Sequence, residues 1–289
     1  MLFSEHYSLI HGRVPSDHDD SSSFVESPVG EMEKSLKREI HLARDIQTKL
    51  LNGKTPKLSK GEVTGVSIPA RLIGGDYYDF YLLPNDKLRI VIGDVMGKGI
   101  PAAMLMILTR GAFRSAADSA QGPGATLTAM NNALCEDLRT LGSFVTVLCA
   151  DWDPNTDTLT YANAGHSLPV LIREKKKVEE MPKNNGVMLG GLPNQIYQEK
   201  QVYLYRGDDV FFYTDGIIEA QNKRGEQNKL YRLIDVLLQH SDKSVHEIEQ
   251  MVVNSINEFT EGMPQKDDLT MVILKVGKDK ANISSCSFA

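Results

Sequence analysis

Cysteine is scarce in this chain of 289 residues: Cys135, Cys149 and Cys286 are the only three, and their spacing fits neither a disulfide framework nor a metal site. That scarcity suits a reducing compartment, so the cytoplasm is the expected location. No apolar run approaches the roughly 20 residues needed to cross a bilayer. The N-terminus lacks the charged-then-apolar order of a signal peptide, and no membrane partner is expected. A basic surplus is missing too. Lys and Arg number 32 against 38 Asp and Glu, a formal net charge of −6 at pH 7, so nucleic acid is excluded as an electrostatically driven partner. The local basic run Arg173–Glu174–Lys175–Lys176–Lys177 reads as a solvated hairpin tip. What remains is ordinary: 41% hydrophobic and 24% charged residues describe a globular protein long enough for one large domain or a domain with an arm.

Residues 1–27, with Asp17–His18–Asp19–Asp20–Ser21–Ser22–Ser23, are polar and without periodicity, and read as a disordered or linker segment. From Pro28 the pattern changes. Met32, Leu36, Ile40, Ala43, Ile46 and Leu50 recur at three- and four-residue steps, predicting an amphipathic helix that stops at Asn52–Gly53. Residues 28–53 are therefore expected to be a helical segment, packed either on its own domain or against a second copy of itself.

Beyond Pro56 the texture is strand-like. Strands are predicted over 63–68 and 87–92, and again over 144–152, 158–162, 169–172, 198–205, 209–213 and 269–275. The stretch Gly74–Gly75–Asp76–Tyr77–Tyr78–Asp79–Phe80 pairs with 87–92 around a turn at Pro84–Asn85–Asp86. Helices are predicted over 101–118, 125–139, 230–240 and 245–259. Strands arrive in antiparallel pairs and helices are inserted between them. The order points to an α+β, four-layer α-β-β-α sandwich preceded by the amphipathic helix. Residues 278–289 read as a C-terminal tail.

Acidic residues recur at strand ends. Asp76 follows two glycines; Asp94 ends an apolar strand before Val95–Met96–Gly97–Lys98–Gly99; Asp215 follows Phe211–Phe212–Tyr213–Thr214; and Asp267–Asp268 precede the last strand. Strand ends on one edge of a sandwich converge, and clustered carboxylates repel unless a cation neutralises them. Oxygen donors without a His–Cys cluster suit hard divalent ions, Mg²⁺ or Mn²⁺. A pair of such ions activates water and clamps a phosphoryl oxygen.

The motifs GGDYYDF, GDVMGKGIPAAM, NAGHSLP, FFYTDGIIEA and KDDLTMVIL, in this order, make the chain resemble the SpoIIE-like branch of PPM-type (protein phosphatase 2C-like) serine/threonine phosphatases. The resemblance covers 51–276, and residues 54–277 are expected to be the phosphatase domain. It implies metal ligation by Asp76, Asp94, Asp215 and Asp267, with Asp267 ranked above Asp268, and by the Val95 carbonyl. It also implies attack on phosphoserine or phosphothreonine by a metal-activated water. The implied substrate is a phosphorylated STAS-type anti-anti-sigma protein in a partner-switching pathway. Control is expected through the N-terminal helix, by a regulatory protein or by self-association.

Several residues have two readings. Lys98 and the Gly97–Gly99 amides either assist an anion or merely allow a turn; Arg71 receives no phosphate role. His166 is more often a backbone-bonded strand-end residue than a general acid. Glu219 either orients Asp215 or complements a helix dipole, and Asp79 is either a supporting acid or a turn residue. Tyr77, Tyr78, Phe80 and Tyr81 are expected to pack in the core, as are Met104 and Met106. Two rival functions stay open: a diguanylate-cyclase-like nucleotide enzyme, suggested by Gly74–Gly75–Asp76, and an inactive signalling scaffold.

Overall fold

The computed structural model describes residues 28–51, 55–119 and 121–277. The linker expected over 1–27, the helix stop at Asn52–Gly53, the tail over 278–289 and Cys286 lie outside these residues. Two compact units are distinguished, residues 1–39 and residues 40–289. Helix α1 (Pro28–Leu51) begins in the first. There Met32 and Leu36 are exposed, and Glu33 pairs with Lys37 one turn on.

In the second unit the described strands form two antiparallel sheets of five. One sheet has the order β1 (Gly61–Ile68), β10 (Leu269–Val276), β9 (Asp209–Tyr213), β6 (Val170–Arg173) and β7 (Lys177–Glu179). The other has β2 (Tyr77–Leu82), β3 (Leu88–Val95), β4 (Val145–Asp153), β5 (Thr158–Ala164) and β8 (Lys200–Tyr203). Helices α2 (Ile100–Ala117) and α3 (Pro123–Thr140) cover the second sheet, while α4 (Gly216–Glu219), α5 (Lys229–Gln239) and α6 (Val245–Thr260) lie with the first. This is the expected four-layer α-β-β-α sandwich.

The period-two alternation of strands explains the layering, because successive side chains face opposite sides. On β3, Leu88, Ile90 and Ile92 enter the core between the sheets, and Val91 and Val95 face α2 and α3. On β10, Val272 and Leu274 point inward while Met271 and Ile273 meet the α5–α6 layer. Strands buried on both faces are largely apolar, which is why Ile90–Ile92 and Met271–Leu274 read as apolar runs. The basic run closes the β6–β7 hairpin, with Glu174 and Lys175 at positive φ in its tip.

Two readings need correction. Met106 is fully buried, but Met104 is 69% exposed, because it falls on the solvent side of α2. Asp79 is not a turn residue. It sits buried on β2, accepting hydrogen bonds from the Tyr77 hydroxyl and from Arg114 of α2. The apolar stripe of α1 stays largely uncovered in the second unit too: Ile46 is 59% exposed, whereas polar Gln47 is buried. Gln47 is buried because its amide matches a peptide group. It donates to the Gly74 carbonyl at 2.7 Å and accepts from the Gly74 N–H at 3.1 Å.

Candidate active site

Antiparallel pairing brings the acidic residues to one end of both sheets. Tyr77 of β2 lies opposite Gly93 of β3, so Asp76 and Asp94 are neighbours across that ladder. Met271 of β10 lies opposite Tyr213 of β9, which sets the Asp267–Asp268 turn beside Asp215. The sheets are joined at this end by Thr214. Its hydroxyl accepts from the Thr270 N–H and donates to Asp76 Oδ2 at 2.8 Å.

The electrostatics follow from this crowding. Asp94 is partly buried, and its carboxyl is pushed up to about 7, first by burial and then by repulsion from Asp215, Asp267 and Asp268. Asp76, 3% exposed, is raised well above the usual carboxylate range by burial and then by Asp94. Each carboxyl thus works against the ionisation of the other, a repulsion that a divalent cation would balance. Asp215 is also raised, by partial burial and then by Glu219 and Asp267. Glu219 thus adds repulsion beside Asp215.

Asp267 and Asp268 take different parts. Asp268 is buried and accepts from the N–H groups of Ala70 and Gly75 at 2.7 Å, and from that of Asp76 at 3.4 Å. Its carboxylate occupies the space a side chain at Gly74 would need, so only glycine fits there. Asp268 therefore shapes the loop that carries Asp76. Asp267 instead faces a cleft of about 230 Å³, together with Asp94, Val95 and Asp215. There it pairs with Lys98 Nζ at 2.7 Å. With both side chains more than a third exposed, such a pair contributes about 0–1 kcal/mol.

Among the described residues, no three His, Cys, Asp or Glu side chains stand ready to enclose one ion. Their present partners differ: Lys98 holds Asp267, backbone amides hold Asp268, and the Thr214 hydroxyl holds Asp76. The donor chemistry nevertheless fits a hard divalent cation. Every candidate donor is an oxygen, and burial followed by mutual repulsion raises the Asp76 and Asp94 carboxyls. Releasing Asp267 requires only that an exposed lysine turn aside.

His166 lines the same cleft but has no free nitrogen. Nδ1 pairs with the Thr146 hydroxyl on β4 at 2.9 Å, and Nε2 with the Tyr213 carbonyl on β9 at 3.1 Å. Burial lowers its pKa to about 4, so the ring is neutral and bridges the two sheets beneath the acids. Gln47, Thr214 and the bridging role of His166 escaped sequence reasoning. The NAGHSLP and YTDG motifs contained two of them, but only the fold shows what they touch.

The comparisons agree with this architecture. The family model described as "Stage II sporulation protein E (SpoIIE)" matches residues 84–277. The chain is 27% identical over 246 residues to "Phosphoserine phosphatase RsbU" of Bacillus subtilis, covering 84% of this chain and 72% of that one. It is 28% identical to "Protein IcfG" of Synechocystis over 260 residues, 81% of this chain but only 41% of that protein. Among solved structures, the SiaA-PP2C domain of Pseudomonas aeruginosa superposes with a TM-score of 0.73 at 22% identity, covering 84% of this chain and 98% of that domain. With the strand-end acids, the two-sheet sandwich and a model match spanning most of its length, the chain belongs to the SpoIIE family.

Proposed function

We propose that the chain is a divalent-cation-dependent phosphoprotein phosphatase acting on phosphoserine or phosphothreonine. The observation that carries this reading is the meeting of Asp76, Asp94, Asp215 and Asp267 at one end of two sheets, with the Asp94 carboxyl held near neutrality. Asp94, Asp215 and Asp267, with Asp76 behind them and the Val95 carbonyl beside them, would hold Mg²⁺ or Mn²⁺, two ions being the expected number. Asp268 is better suited to organising the loop than to ligation. Bound cations supply water of lowered pKa and neutralise phosphoryl oxygens. The chain's own part is positional. Asp268 and Gln47 fix the Gly74–Asp76 loop, Thr214 orients Asp76, and His166 ties the sheet ends together.

The name of the Bacillus relative supports phosphoserine as the substrate class. The finer proposal is a phosphorylated STAS-domain anti-anti-sigma protein, with control reaching the site through α1, whose Gln47 grips the loop before Asp76. A diguanylate cyclase needs a βαβ nucleotide fold, and the two antiparallel sheets argue against it.

Phosphate release from a phosphoserine STAS protein tests the proposal, with Mn²⁺ or with chelator, for the full chain and for a chain starting at residue 51. Release is expected only with the cation, and the shortened chain should differ in rate or cation affinity. No release from any phosphoserine protein would sink the phosphatase reading. A shortened chain identical in rate, cation affinity and oligomeric state would sink control through the helix.

A further inference from the structure

We propose that Lys98 is the residue that recognises the substrate's phosphoryl group, and that Asp267 holds its ammonium in reserve until a cation and a phosphate arrive. The inference deepens the phosphatase reading and rests on it.

The argument starts from charge. The cleft is walled by three carboxylates, Asp94, Asp215 and Asp267. A phosphoserine monoester brings a further one and a half to two negative charges, roughly, at neutral pH. Of the residues lining the cleft, Lys98 alone carries a full positive charge, because His166 is neutral with both nitrogens engaged. An anion entering here has one ammonium to meet.

Lys98 is placed for exchange. Its Nζ bonds Asp267 Oδ2 at 2.7 Å and also donates to the Lys266 carbonyl, while its side chain remains 39% exposed. It stands on the wall between the acidic cleft and a second cleft of about 230 Å³ that includes Met263 and Gln265. Lys98 therefore borders both clefts. Gly97 and Gly99 on either side of it have φ of 103° and 71°, a conformation of the β3–α2 connection that favours glycine. Nothing lies within 4 Å of a Cβ built at Gly97. An exposed ion pair is easily broken, and the phosphate that replaces Asp267 carries more charge and more acceptor oxygens. A cation that takes Asp267 displaces Lys98, so cation loading and phosphate recognition are linked through one side chain.

Arg71 is the competing cation. Its Nη1 lies 3.3 Å from where a Cβ on Gly99 would sit, but Arg71 does not line the cleft. Broadening of the phosphorus resonance of inorganic phosphate, in Mg²⁺ buffer, separates the two. Lys98→Gln should weaken phosphate binding at least tenfold, Lys98→Arg should stay within about threefold of wild type, and Arg71→Gln should match wild type. Calorimetric Mn²⁺ titration of Lys98→Gln should show tighter cation binding, since Asp267 loses a competitor. On a phosphoserine peptide the same variant should raise KM about tenfold with kcat within about threefold.

Wild-type phosphate binding in Lys98→Gln, or a loss that follows Arg71→Gln instead, overturns the assignment. The two readings fail separately. Lys98-dependent phosphate binding without hydrolysis of any phosphoserine peptide removes the phosphatase and leaves the anion site. Hydrolysis with unchanged KM and phosphate binding in Lys98→Gln removes the anion site and leaves the phosphatase.

Discussion

Asp215→Ala should hydrolyse a phosphoserine protein at about a thousandth of the wild-type rate, a barrier increase of about 4 kcal/mol, with a cation-free melting temperature no lower than wild type. The first half follows from position. Asp215 stands between Asp94 and Asp267 in their mutual repulsion and lines the cleft, so its loss removes a donor where a cation would act. The second half follows from the same repulsion. Partial burial and the nearby Glu219 and Asp267 raise the Asp215 carboxyl, which means the fold does not gain from its charge. No side-chain cap hydrogen bond from Asp215 to α4 is lost. A structural acid would behave in the opposite way, with stability falling and turnover following it. Steady-state kinetics at saturating Mn²⁺ beside calorimetric melting distinguish the two.

The second large effect concerns pH. Asp94 has a folded-state pKa of about 7 against an ordinary 3.8, so between these values the native state binds more protons than the unfolded one. Stability of the cation-free protein therefore falls as pH rises through that window, by roughly 2–4 kcal/mol from this group. Asp209, raised by burial to about 6, adds a loss of the same sign between about 4 and 6. His166 acts oppositely. Its folded pKa of about 4 lies below the ordinary 6.5, so its contribution is complete above 6.5 and is lost as pH falls towards 4. Neither Asp209, on β9 away from the cleft, nor His166, fully bonded, would bind a cation, so the difference made by added cation isolates the acidic cluster. Millimolar Mg²⁺ should raise the melting temperature only slightly at pH 5 and by several degrees at pH 8, because a cation stabilises the ionised cluster it binds. Equal shifts at both pH values would place the binding elsewhere.

How far the sequence could be read depended on whether a signal was local. Strands 209–213 and 269–275 were legible because burial on both faces makes Val210–Tyr213 and Met271–Leu274 uninterrupted apolar runs. Helix α6 was legible over 245–259, and the structure adds the Ser244–Glu247 capping box that fixes its start. The three-residue β7 and the four-residue α4 are too short for any period to show. Partner identity was not legible either. Gln47 looks like a surface residue on an amphipathic helix, and only the approach of Gly74 makes its burial favourable. Asp267 and Asp268 are adjacent and chemically alike. The turn before β10 that points one to the cleft and the other to the Gly75 amide appears only in the fold. Met104 and Met106 likewise differ by which side of α2 meets the second sheet.

The most direct measurement is anomalous diffraction at the manganese edge from crystals grown with Mn²⁺. Anomalous density in ligating contact with both Asp94 and Asp215, with Lys98 turned off Asp267, is the expected result. Crystals saturated in Mn²⁺ that show no ion between those carboxylates would contradict it.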